Sequence, residues 1–286
     1  MNYATLIRTY EDKLEQIDED RENLAYVFRE IKEWSSLDML IHQNQAVTPE
    51  DAVLLEHIFC SLSQHLSPQY ITGNAYFRDL KLAVDKRVLI PRPETEELVD
   101  MILAENLDAP LNVLDIGTGS GAIAISLKKE RPNWQVTASD ISRAALDLAK
   151  ANADAYQLDI TFIESDVFSL ISGTFDIIVS NPPYISYEDK EEVSLNVLQS
   201  EPHLALFAKE NGYAIYRKII EQADNYLTKE GKLYFEIGYK QAEGIKDMLQ
   251  AYFPQRHIRV VTDIFGKERM VVVDYCRLSY AGLFVQ

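Results

Sequence analysis

The sequence predicts an α/β protein: a mostly parallel sheet with helices on both faces, preceded by a small helical domain that a β-hairpin joins to it. Three observations predict this. From residue 111 onwards short apolar, β-branched runs alternate with stretches of helical periodicity, the pattern of successive strand–helix units. Residues 1–72 instead repeat their apolar residues at three- and four-residue spacing. The run Phe175-Asp176-Ile177-Ile178-Val179-Ser180 stops abruptly at Asn181-Pro182-Pro183-Tyr184. Two prolines end a buried strand there, because proline has no ladder donor and a fixed φ.

In the helical domain, residues 1–72, Leu6, Tyr10, Leu14 and Ile17 mark one amphipathic helix and Leu24, Val27, Phe28 and Ile31 a second, with residues 18–22 as a charged connector. Thr48-Pro49-Glu50-Asp51 is a helix start: a cap residue, proline at the first position and acids over the positive end of the dipole. The region has thirteen Asp and Glu against five Lys and Arg, which suits either a solvated face or a docking surface for a basic partner. Pro68-Gln69-Tyr70-Ile71-Thr72-Gly73 closes it. Residues 73–92 read as the linker, with Leu80, Leu82 and Val84 in a hairpin over 77–90 that turns near Asp85-Lys86. Ile90-Pro91-Arg92-Pro93-Glu94-Thr95-Glu96 is a rigid extended lead into a helix over 94–105, and suits either a plain helix start or a ligand-facing segment.

Residues 93–286 form the second domain. Val113-Leu114-Asp115-Ile116 is a strand, Gly117-Thr118-Gly119-Ser120-Gly121 the turn after it, and Ala122 the start of a helix. A second strand over 134–139 ends in Asp140, a third over 158–163 runs into Ser165-Asp166-Val167, and the strand before Asn181 is the fourth. Residues 185–211, acidic around 188–192, make a segment too long for a plain connection, the kind of loop that is functional or mobile. A helix over 212–227, a strand over 232–237, a helix over 241–252 and an antiparallel pair over 257–262 and 269–275, turning at Phe265-Gly266-Lys267, complete the domain.

Composition narrows the class. At 286 residues and 47% hydrophobic the chain has ample core material. No run approaches 18 apolar residues and the first residues lack the order of a signal peptide, which leads us to expect a cytoplasmic protein without membrane association. Cys60 and Cys276 are far apart and the five histidines have no ligand spacing, so neither a disulfide framework nor a metal site is expected. The net charge of -17 argues against a stable grip on nucleic acid, which needs a basic face, and fits a basic partner.

In open α/β sheets ligands bind at the carboxyl ends of the strands, where the tetrapeptide falls. The Asn181 side-chain oxygen and the Pro182 main-chain oxygen, both held extended by the prolines that follow, can accept the two hydrogens of one planar NH2 group. Tyr184 offers a flat face to a planar amide or base. Gly117-x-Gly119-x-x-Ala122 also satisfies a loose dinucleotide fingerprint. Asp115, immediately before the glycines, would repel a pyrophosphate and attract an ammonium or a sulfonium, and the tetrapeptide has no use in a nicotinamide enzyme. S-adenosyl-L-methionine is therefore the expected cofactor, with Asp140 on its ribose and Asp166 and Val167 against its adenine.

These motifs resemble the N(5)-glutamine methyltransferases of peptide chain release factors, the HemK-like enzymes. The resemblance runs over nearly the whole chain: Pro68 to Ile71 with Gly73 and Phe77, the string 88–96, the strand and glycines of 113–121, residues 181–185, Glu201-Pro202 with Ala205-Leu206, and 231–241. The chain departs from the family pattern near 207–213 and at Val167. The resemblance implies a helical domain that holds the release factor and a Rossmann-like class I catalytic domain that methylates the glutamine of a Gly-Gly-Gln loop in class I factors. It further implies that Gly117, Thr118, Gly119, Ser120, Gly121, Asp140, Asp166, Val167 and Asn181 line the cofactor and that Asn181, Pro182, Pro183 and Tyr184 clamp the side-chain amide. Two rival readings are a nucleic acid amino-methyltransferase that flips out its base and a non-catalytic cofactor-binding scaffold.

Overall fold

The structure, a computed structural model, describes residues 1–275. Cys276 and the last residues of the second domain lie outside the described residues.

Five helices open the chain: α1 Tyr3–Glu15, α2 Glu22–Lys32, α3 Ser36–His42, α4 Pro49–Leu62 and α5 Pro68–Thr72. Their starts carry the expected chemistry, with the Asn2 and Thr48 side chains accepting from the backbone N–H groups of Thr5 and Asp51 and a reciprocal capping box between Ser35 and Asp38. Tyr3, Ile7, Leu14, Leu24, Val27, Phe28, Leu55, Ile58 and Leu62 form their shared core. Ile17 and Ile31, expected on the inner faces, are exposed, because α1 has ended before the first and the second lies in the last turn of α2. The acids are not all solvated: buried Asp51 accepts from the Tyr3 hydroxyl at 2.5 Å and the Lys32 ammonium at 2.7 Å.

The hairpin is β1 Asn74–Phe77 and β2 Leu80–Ala83, so it turns at Arg78-Asp79 and not near Asp85-Lys86. Arg78 takes a left-handed φ of 54° without being glycine or asparagine. The following helix, α6 Pro93–Glu105, holds it there: Glu96 accepts from the Arg78 backbone N–H at 2.8 Å and Asp100 pairs with its guanidinium.

The second domain continues with β3 Asn112–Ile116, α7 Ala122–Glu130, β4 Gln135–Asp140, α8 Arg143–Ala155, β5 Thr161–Glu164 and β6 Phe175–Ser180. After a capping segment come α11 Ala214–Ala223, β9 Leu227–Glu236, α12 Ala242–Tyr252, β10 Arg256–Thr262 and β11 Glu268–Tyr275. Residues 185–211 are built rather than loop-like. Within them lie β7 Ile185–Ser186, a 3-10 turn Tyr187–Glu192, α9 Leu195–Ser200, α10 His203–Leu206 and β8 Phe207–Ala208. β7 and β8 pair with each other in parallel, which closes the segment on itself.

The main sheet has the order β10-β11-β9-β6-β3-β4-β5, parallel except for β11. Side chains alternate between its faces: Val113, Ile177, Val179, Tyr234 and Val272 pack beneath α6 and α7, while Leu114, Ile178, Leu233, Phe235 and Val271 pack against α11 and α12. The chain leaves β3 in one direction towards β5 and returns beside β3 as β6. A switch point therefore opens between the carboxyl ends of β3 and β6, which lead directly into Gly117 and Asn181.

Candidate active site

At the end of β3, Gly117 and Gly119 adopt φ of 75° and 56°, and a Cβ on either would meet nothing within 4 Å. The loop thus presents bare backbone to open space. Its position is fixed from β4: the Gly117 and Thr118 N–H groups donate to the Ser139 carbonyl at 2.8 and 2.9 Å, and the Gly119 N–H donates to Asp140 Oδ2 at 3.0 Å. The Ser142 N–H donates to the other Asp140 oxygen at 2.9 Å, so this carboxylate is aimed by two backbone groups. Burial pushes its carboxyl up, opposed by these donors. At the end of β5, Val167 has a φ of 54°, a strained conformation for a β-branched residue. The Ser165 hydroxyl braces it by donating to the Val167 carbonyl at 2.9 Å, and Lys218 pairs with Asp166 at 2.9 Å.

Gly117, Thr118, Gly119, Ser120, Asp140, Asp166, Val167, Asn181, Pro182 and Pro183 all line one cavity of about 420 Å³. Asp115 and Gly121 do not. Gly121 lies where α7 and α8 approach, with a Cβ there 2.8 Å from Ile125 Cδ1 and 3.3 Å from the Ala149 Cβ. Asp115 is fully buried beneath the loop and accepts from the Thr118 hydroxyl at 2.7 Å, so it touches the cavity only through Thr118.

A second cavity, of about 320 Å³, shares Leu89, Arg92, Asn181, Pro182 and Ala205 with the first and adds Tyr184, Glu192, Val197 and Glu236. Asn181 and Pro182 are therefore a wall between two chambers. The Asn181 amide Nδ2 donates to Thr95 Oγ1 at 3.1 Å, and that hydroxyl donates to Glu236 Oε2 at 2.5 Å. Tyr184 is pinned through its carbonyl, which accepts from Gln241 Nε2 at 3.0 Å, and burial pushes its phenol up to about 12. Arg92 pairs with Glu201 at 2.6 Å and lines both cavities, and Pro93 opens α6 directly after it.

Sequence reasoning gave no role to Thr95, Glu236, Gly212 or Gln241. Signals for two of them were present: Thr95 lies in the segment 90–96 read as a helix start or a ligand-facing stretch, and Glu236 is a carboxylate ending the apolar run Leu233-Tyr234-Phe235. Among the described residues there is no cluster of His, Cys, Asp or Glu fit for a metal, and no helix is long and apolar enough to cross a membrane.

Two buried acids give a testable pH dependence. Burial pushes both Asp115 and Glu236 up to about 7. Unfolded, they lose their protons near pH 4. Between about pH 4 and 7 the folded chain binds more protons, so stability falls as pH rises through that window and levels off above it. The urea midpoint is expected to be lower at pH 8 than at pH 5, and Asp115→Asn to remove part of the difference. Equal midpoints in the parent protein would contradict the burial argument.

A doubly wound sheet with a glycine loop at its switch point and two chambers meeting at Asn-Pro-Pro-Tyr defines a Rossmann-like methyltransferase of class I. A methyltransferase from Pyrococcus furiosus superposes with a TM-score of 0.53 at 20% identity over 69% of this chain and 89% of its own. The family models described as Methyltransferase small domain and PrmC N-terminal domain match residues 98–204 and 5–73. The release factor glutamine methyltransferases of Streptococcus pneumoniae and Lactococcus lactis are each 52% identical to the chain, over 96% and 89% of it and 99% and 94% of their own lengths. The chain belongs to the release factor glutamine methyltransferase family.

Proposed function

We propose that this protein transfers a methyl group from S-adenosyl-L-methionine to the side-chain amide nitrogen of the glutamine in the Gly-Gly-Gln motif of class I peptide chain release factors, and so modulates translation termination in the cytoplasm. The observation that carries the reading is the shared wall: Asn181 and Pro182 face both chambers, so a donor on one side and an acceptor on the other meet at the same two residues. The larger chamber is of ligand size and fits the cofactor, with bare glycine backbone along one side and the Asp140 carboxylate at hand for a ribose. When bound, the cofactor supplies an electrophilic sulfonium methyl, whose bonding pair stays on sulfur as the new N–C bond forms. Asn181 Oδ1 and the Pro182 carbonyl accept the two amide hydrogens and fix the nitrogen with its out-of-plane face towards the methyl. Positioning of this kind is worth roughly 7–11 kcal/mol. Deprotonation need not come first, because the amide proton becomes acidic as the methyl arrives and then passes to solvent water.

In this reading residues 1–72 recognise the release factor, 73–92 link, and 93–286 catalyse. Mass spectrometry of the Gly-Gly-Gln peptide, after incubation of an unmethylated release factor with the protein and cofactor, is expected to find one added methyl on the glutamine. Label in nucleic acid with none on the peptide would overturn the assignment. Gly119→Ala is expected to raise the cofactor Kd about tenfold or more, since its Cβ enters the chamber, while the left-handed φ costs the fold about 1–2 kcal/mol. Isothermal titration and urea unfolding separate the two effects.

A further inference from the structure

We propose that Thr95 and Glu236 are positioning residues for the transfer: a directed hydrogen-bond chain from Asn181 through the Thr95 hydroxyl to the Glu236 carboxylate sets which end of the Asn181 side chain faces the target amide. The inference deepens the reading above and rests on it.

A carboxamide has a donor end and an acceptor end of nearly the same shape, and only the acceptor end can hold an N–H of the substrate. What fixes the choice is the polarity of the neighbours. An ionised carboxylate only accepts, so Glu236 Oε2 takes the Thr95 proton, and the Thr95 oxygen is left to accept from Asn181 Nδ2. That turns Oδ1 away from Thr95. Glu236 is 2% exposed and lines the smaller chamber, so the chain ends in a carboxylate shielded from water, where its direction is strongly enforced. The three residues come from different elements, α6, β9 and the end of β6, brought together only by the sheet order. A protonated Glu236 can donate to Thr95 instead and reverse the chain. Around it stand Arg269 on β11, Glu94 on α6, Tyr184 after β6 and Tyr216 on α11, whose hydroxyl donates to the Glu236 carbonyl at 2.7 Å. Burial raises the Glu236 carboxyl to about 7 and Arg269 opposes it, so the reversal falls in the neutral range.

The test compares Thr95→Val, Thr95→Ser and Glu236→Gln in kcat, KM for the release factor, cofactor Kd and the exchange of the Asn181 side-chain NH2 by nitrogen-15 NMR, assigned by its loss in Asn181→Ala. Thr95→Val is expected to lower kcat on the order of 10²-fold with KM and Kd little changed, and Thr95→Ser to recover most of the loss. In the parent protein kcat and the Asn181 amide signal should both titrate across neutral pH, with kcat rising as pH rises, and Glu236→Gln should flatten both. Thr95→Val with parental kcat, or with KM and Kd rising and melting temperature falling in step with the loss of kcat, would overturn the proposal. Were the parent protein to leave the glutamine unmethylated, the functional reading would fall, and the amide exchange would still decide whether Thr95 and Glu236 direct Asn181.

Discussion

Asn181→Ala is expected to lower kcat for the release factor by on the order of 10²–10³-fold, the usual cost of deleting one preorganised polar group at a reacting centre, and to change the cofactor Kd far less. The asymmetry follows from the two chambers. On the cofactor side Asn181 is one of many lining residues, beside the glycine loop, Asp140 and the turn at Val167. On the target side the proposed function makes it one of only two acceptors for the amide. The substitution also leaves the Thr95 hydroxyl, already donating to Glu236, without the amide donor that approaches its oxygen at 3.1 Å. Single-turnover kinetics at saturating cofactor check the expectation. Equal losses in turnover and cofactor affinity would place Asn181 in cofactor binding alone.

Gly212→Ala is expected to destabilise the fold by about 2–4 kcal/mol and to depress turnover with it. Gly212 has a φ of 87°, and a Cβ there would lie 2.1 Å from the Tyr184 carbonyl oxygen and 2.6 Å from Gln241 Nε2. The first contact is with backbone, so no rotamer change relieves it. Either the chain at 212 moves or Tyr184 does, and Tyr184 carries one wall of the smaller chamber. Urea midpoints and kcat measured on the same preparation test this, and an unchanged midpoint would refute it. Gly119→Ala is the contrast: a similar backbone conformation with room for the added atom.

The sheet was legible because its strands are buried on both faces and therefore read as unbroken apolar runs, and because Pro182 and Pro183 mark where β6 must stop. The meeting of the glycine loop and Asp140 was legible for a related reason, since it is set by backbone geometry at two neighbouring strand ends. The turn at Arg78 was not, because α6 holds it in place of a local glycine. Residues 185–211 looked like a loop because their polar surface hides short elements that are stabilised by the β7–β8 pairing. Thr95 and Glu236 stand 141 residues apart and meet only once β9 lies beside β6. No local pattern announces such a pair. Nor does any pattern tell a lining aspartate from one beneath the floor, which is the difference between Asp140 and Asp115.

The two chambers share only Leu89, Arg92, Asn181, Pro182 and Ala205 among their lining residues. Beyond these, the larger chamber draws on the exits of β3, β4 and β5 with Pro202 and Leu204, while the smaller draws on Tyr184, Ile185, Glu192, Val193, Val197, Leu206 and Glu236. Substitutions at Ile185, Glu192, Val193 and Val197 can therefore reshape the smaller chamber without touching the lining of the larger. A fold arranged this way is evolvable at one end: the stretch 185–197 can vary while the strand exits that line the larger chamber are inherited intact.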